Sequence, residues 1–150
     1  MYTTVLFLHS WIRWAALIFA LIATSFAIGK GPTALRNAER WGFRLMIALD
    51  LQMLLGLLLY GMLSPFTRQA MQDFGAAMRD STLRFWAVEH LTMMLGAVVL
   101  VHVGRVLARK TSDPGKKRMK LLVCFGIALL LMIGGMPWPG TPNGRPLFRM

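Results

Sequence analysis

Charge is scarce in this chain. Asp, Glu, Lys and Arg together make up 15% of its 150 residues, against about 25% in a typical soluble domain. So little charge cannot cover a soluble fold, and it makes lipid the expected solvent. There is one cysteine, Cys124, which excludes an intrachain disulfide framework and thiolate-rich zinc or iron–sulfur sites built from this chain alone. Acidic residues are also few, 6 against 17 basic ones, for a formal net charge of +11. Nucleic acid is excluded as the partner behind that excess, because the basic residues lie between apolar runs and form no aromatic-interleaved patch. The sequence has no internal repeat or low-complexity segment.

What is abundant is apolar: 56% of the residues are hydrophobic, and 12 are Met. A window of about 19 residues finds four stretches near the ~20 residues that cross a bilayer, at 3–29, 42–63, 85–108 and 119–137. The first is read as a retained span and not as a signal peptide, since nothing basic precedes Leu6 and its apolar run exceeds an h-region. The expected fold is therefore all-α, a four-helix up-down-up-down membrane bundle forming one domain, 1–150.

The connections orient it. Segments 30–44 and 105–120 hold eleven Lys and Arg residues, and segment 64–84 holds three, offset by Asp73 and Asp80. The two basic segments are expected in the cytoplasm and both termini outside, with anionic lipid head groups a further use for the basic excess. In the outer connection Phe66, Ala70, Met71, Phe74, Ala77 and Met78 recur at helical spacing, which predicts a short amphipathic helix over 65–79. Asp80, Ser81 and Thr82 supply N-cap chemistry for the third span. The tail, 138–150 with Pro137 before it, is rich in proline and reads as an extended outer strap.

Ionisable residues inside spans are costly enough that each is a candidate site. His9 lies six residues past Thr3 in the first span, and His90 six past Arg84 in the third, so they match in depth on the outer side. The first and third helices of such a bundle are diagonal, with axes roughly 12–14 Å apart. Two imidazoles pointing inward across that gap leave room for a metal between them, and a haem iron with an axial imidazole on each face suits it. Structural hydrogen bonding and another metal or proton chemistry are the alternatives. A lone zinc or copper ion would want further ligands nearby, and Glu89, about 100° round the helix from His90, is a poor one.

His102, about 18 Å further along the axis than His90, matches Asp50 in depth. An Asp50–His102 pair is expected, as a buried polar clasp or as part of a proton path, a second metal site or a quinone site. Arg13 and Glu89 are placed to neutralise one another. Alternatively Arg13, or the outer Arg84, Arg145 and Arg149, would bond the carboxylates of a haem or another anionic ligand.

Three segments carry a resemblance: His9-Ser10-Trp11-Ile12-Arg13-Trp14, then Arg84-Phe85-Trp86-Ala87-Val88-Glu89-His90, then Pro137-Trp138-Pro139 with Gly144-Arg145-Pro146-Leu147-Phe148. Together they resemble small bacterial four-span membrane proteins labelled cytochrome b or cytochrome b-like. The resemblance implies a haem b bundle in the bacterial plasma membrane, with His9 and His90 as ligands. It departs from di-haem four-helix cytochromes in having three histidines, so a second bis-His haem lacks its fourth ligand. The function expected is electron transfer between the quinone pool and an outer partner or a larger respiratory complex, with the bilayer, complex subunits or further copies of the chain as partners. The rival readings are a cofactor-free accessory subunit and a copper or proton-coupled membrane protein.

Overall fold

A computed structural model describes residues 1–148, and among them the chain is helical with no strand. Seven α-helical segments follow in order: α1 Tyr2–Ile28, α2 Pro32–Leu58, α3 Pro65–Gln72, α4 Phe74–Ala77, α5 Ser81–Arg84, α6 His90–Arg109 and α7 Pro114–Gly134. Two five-residue π-helical stretches extend the long helices at one end, Leu59–Leu63 after α2 and Phe85–Glu89 before α6. Three continuous helical stretches are long and apolar enough to cross a membrane: Tyr2–Ile28, Pro32–Leu63 and Ser81–Arg109. The expected fourth span forms α7, but Lys116, Lys117, Arg118 and Lys120 occupy its first two turns, and it does not reach the same standard.

Helix starts follow cap chemistry more closely than hydropathy. Pro32 opens α2 ten residues before the apolar run begins, with a proline in the first turn, where its missing N–H costs no hydrogen bond. The basic segment expected as a loop at 30–44 is therefore mostly helix. Asp113 caps α7 by accepting from the Lys116 N–H at 2.6 Å, and Asp80 caps α5 by accepting from Thr82 and Leu83. The amphipathic helix expected over 65–79 is broken in two. Asp73 leaves the helical conformation and accepts from the Ala76 N–H at 2.9 Å, ending α3 and starting α4. An Asp side chain competes with the helix ladder in this way.

In the bundle, α1 packs against α2 and α7, and α6 packs against the same two helices. That leaves α1 and α6 on one diagonal, as expected from the sequence. Small residues bring the helices close. Ala16, Ala20, Ala23 and Ala27 of α1 are fully buried, with Ala38 and Leu45 of α2, Ala97 and Val101 of α6, and Phe125 and Ala128 of α7. Gly42 lets α2 approach α7, because a Cβ there would lie 2.4 Å from Cζ of Phe125. Close backbone approach over small residues is the usual packing device where lipid removes the hydrophobic drive between helices.

The tail is compact, not extended. The Arg145 N–H donates to the Pro137 carbonyl and the Gly144 N–H to Thr141, while Gly140 takes a positive φ of 87° that a side chain would strain. The tail then docks on α1. Arg13 and the Trp14 indole both donate to the Leu147 carbonyl at 3.0 Å, and the Phe148 ring stacks on Trp14 with centroids 5.5 Å apart. Arg149 lies outside the described residues.

Candidate functional site

The tail and the ends of α1, α2 and α6 nearest to it enclose a mainly apolar cavity of about 130 Å³, into which His9, Arg13, Gln52, Gly56, His90 and Arg145 all face. His9 and His90 meet there. Their ring centroids are 6.4 Å apart with an interplanar angle of 65°, so the depth match counted along the sequence is realised in space.

Each ring is held from behind. The Nδ1 of His90 lies 2.7 Å from the Gly135 carbonyl at the end of α7. A carbonyl can only accept, so Nδ1 carries the proton and Nε2 keeps its lone pair. His9 sits against Gly56 of α2, where a Cβ would come 3.3 Å from the imidazole Cε1. Gln52, buried on α2, donates its amide to the His9 backbone carbonyl at 2.9 Å. Around the cavity, His9 Nδ1, Gln52 Oε1 and the Trp86 indole N–H are buried without a hydrogen-bond partner among the described residues. Buried polar groups are nearly always satisfied, so these three atoms have hydrogen-bonding capacity to spare for a further polar partner in the cavity.

The π-helical stretch before His90 shapes this wall. Its wide turn, in which the His90 N–H reaches back to the Phe85 carbonyl, brings Arg84 and Glu89 together at 2.6 Å. Residues five apart do not face each other on an ordinary α-helix. Tyr60, in the other π-helical stretch, donates its hydroxyl to the Ala87 carbonyl at 2.9 Å. Such stretches are frequent at functional sites. They correct the expected ion pair, since Glu89 is held by Arg84 while Arg13 is turned to the tail. Arg145 lies over the rings of Phe66 and Trp86, 4.7 and 5.4 Å from their centroids. No family model, curated protein or solved structure matches the chain, so the assignment of this cavity rests on its own chemistry.

The second expected pair also forms. His102 Nε2 lies 3.4 Å from Asp50 Oδ1, but the two side chains are 43% and 45% exposed. They sit on the outside of the α2–α6 seam, which corrects the expectation of a buried clasp. His102 Nδ1 faces the Val98 carbonyl at 2.9 Å and must carry a proton. The contact with Asp50 is therefore attractive only when a further proton lies between them, on either partner. Among the described residues no group of three or more His, Cys, Asp or Glu side chains gathers in one place.

Gly56, Gly135, Tyr60 and Trp86 are the site residues that sequence reasoning missed. Gln52 had a signal, an amide within an apolar run. A glycine that clears space for a ring on another helix has none.

Proposed function

We propose that the chain is a four-helix membrane protein, α7 included, whose cavity holds a b-type haem between His9 and His90. In this reading it carries electrons between the quinone pool and a partner at that end of the bundle. The observation that carries it is the spacing of the two imidazoles. A first-row metal ion bound through one nitrogen of each ring at about 2.0–2.1 Å separates the ring centres by roughly 6 Å, close to the 6.4 Å found here.

The residues fit that group in three further respects. His90 is fixed by a carbonyl on its remote nitrogen, the usual second contact of a ligating histidine. Two ligands suffice for a haem iron, whose other four bonds belong to the macrocycle, so the lack of a larger cluster is no obstacle. The cavity is small for a macrocycle, but Met53, Met94, Met132 and Met136 line it, and methionine is the apolar side chain that repacks most readily. The resemblance of the His9–Trp14 and Arg84–His90 segments to cytochrome b-like proteins points the same way.

A bound haem supplies one-electron redox chemistry, and the protein supplies orientation, dielectric and access. His9 and His90 hold the iron, Gly135 aims His90, and Gly56 clears space for His9. Arg145 is the cation best placed for a haem carboxylate, because Arg84 is taken by Glu89 and Arg13 donates to the tail. Those same internal contacts favour the second reading, a cofactor-free accessory subunit whose arginines only fasten its own elements.

An absorption spectrum of the purified protein, oxidised and then reduced, separates the two. The haem reading expects a low-spin bis-His spectrum that His9→Ala and His90→Ala each abolish and His102→Ala leaves intact. Colourless protein from haem-sufficient cells, or a spectrum lost only with His102, sinks it.

A further inference from the structure

At the other end of the bundle, a second cavity of about 300 Å³ opens between α2 and α6, with Glu39, Arg40, Phe43, Arg105, Arg109 and Leu121 on its walls. Leu121, 1% exposed, belongs to α7, and Arg105, 8% exposed, is the only buried charged residue among the described residues. The Arg105 guanidinium lies over the Phe43 ring, 5.0 Å from its centroid, and donates one N–H to the Glu39 backbone carbonyl at 2.9 Å. Its Nε is buried and has no partner among the described residues.

The charge balance here is lopsided. The one carboxylate on the wall, Glu39, is engaged by Lys117 at 3.0 Å. Arg40 and Arg109 are exposed at the mouth. Three guanidiniums therefore face one cavity that holds a single carboxylate; the deepest, Arg105, has a carbonyl and a ring as its direct contacts, and Glu39, which favours its charge through space, is shared with Lys117. A buried charge whose one counter-charge is shared is expensive, and an anion seated between α2 and α6 would supply another. Guanidinium forks match the tetrahedral oxygens of a phosphate. Arg105 lies only one turn, about 6 Å, inside the end of α6, a depth suited to a head group. The exposed apolar side chains of Ile47, one helical turn along α2 from Phe43, and Val106, next to Arg105 in α6, offer a surface for acyl chains.

We propose that this cavity is a binding site for the phosphate of an anionic lipid, with Arg105 as its buried anchor and Arg40 and Arg109 as its outer clamps. The site rests on the membrane placement of α2 and α6 and is independent of any haem at the opposite end. Basic pockets between membrane helices are where such head groups bind.

The test uses the full chain in nanodiscs of phosphatidylcholine containing a minor share of phosphatidylglycerol, with retained lipid counted by native mass spectrometry. Selective retention of phosphatidylglycerol is expected. Arg40→Gln and Arg109→Gln should each weaken it about fivefold, and Arg105→Lys should weaken it further by losing the fork while keeping the charge. Lys110→Gln and Lys116→Gln, exposed changes at the same end but off the cavity wall, should have less than about a twofold effect. Equal losses from the Lys variants would mean diffuse surface attraction and overturn the site. Retention unchanged in Arg40→Gln and Arg109→Gln would overturn it too, and needs no variant in the core. If inorganic phosphate alone stabilises the protein in pure phosphatidylcholine while phosphatidylglycerol is not retained, the ligand is free phosphate and the lipid assignment fails.

Discussion

Gly42→Ala is the sharpest probe of how α2 and α7 meet. A methyl group there would lie 2.4 Å from Cζ and 2.6 Å from Cε2 of Phe125, whereas carbon atoms rest at about 3.5–4.0 Å. Phe125 is fully buried, so its ring cannot swing into open space, and the helices must part by about 1 Å. Overpacking of this kind costs about 1–3 kcal/mol. In water a Gly→Ala change in a helix returns nearly 1 kcal/mol of propensity. In a bilayer the separated helices remain helical because their backbone groups have no other partner, so little of that gain is realised. The expected outcome is a net destabilisation of about 1–3 kcal/mol, measured by denaturant unfolding in mixed micelles, with partial recovery in Gly42→Ala/Phe125→Leu. Gly126→Ala, which meets nothing within 4 Å, should stay within about 0.5 kcal/mol of the parent. Stability unchanged in Gly42→Ala, or equal loss in Gly126→Ala, would refute the packing argument.

The Asp50–His102 contact makes a second case. With Nδ1 of His102 donating to Val98, Asp50→Asn can donate its amide to Nε2, whereas Asp50→Ala leaves that nitrogen bare. The Ala variant should lose about 1 kcal/mol, the low end for an unmade polar contact because both groups are nearly half exposed, and the Asn variant should lose less; equal losses in unfolding titrations would count against the proton-sharing contact. Orientation is tested by reporter fusions, which should score cytoplasmic at 112–115 and outside after Met150, since the segments 30–44 and 105–120 carry the basic excess. The reverse pattern would place the histidine cavity on the cytoplasmic side.

Much of this architecture was legible in the sequence because burial in lipid leaves few choices. Long apolar runs must become helices, and an up-down-up-down order of four helices puts the first and third on a diagonal. Counting residues from Thr3 and Arg84 then brought His9 and His90 to one depth without any coordinates. The same counting paired Asp50 with His102, but it missed their exposure. Rotation about a helix axis is decided by which face packs, and on α2 that face is Ala38, Gly42, Leu45 and Leu49, which turns Asp50 away from the core. Hydropathy gave a span at 42–63 and no sign that its helix starts at Pro32, since it detects a lipid-length run and is blind to a helix that continues through charged residues beyond it.

Composition and order alone determined that the chain is helical, that it carries apolar stretches long enough to cross a membrane, and that two histidines would share a level. Those properties follow from the solvent and from the helical rise, which act on each segment separately. Only the tertiary structure decided what stands behind each imidazole, where Glu89 finds its cation, how the tail folds back onto Trp14, and that Arg105 is buried beside Phe43. Each of these depends on a glycine, a carbonyl or a wide helical turn contributed by a different segment, and such contacts exist only once the helices have chosen their faces.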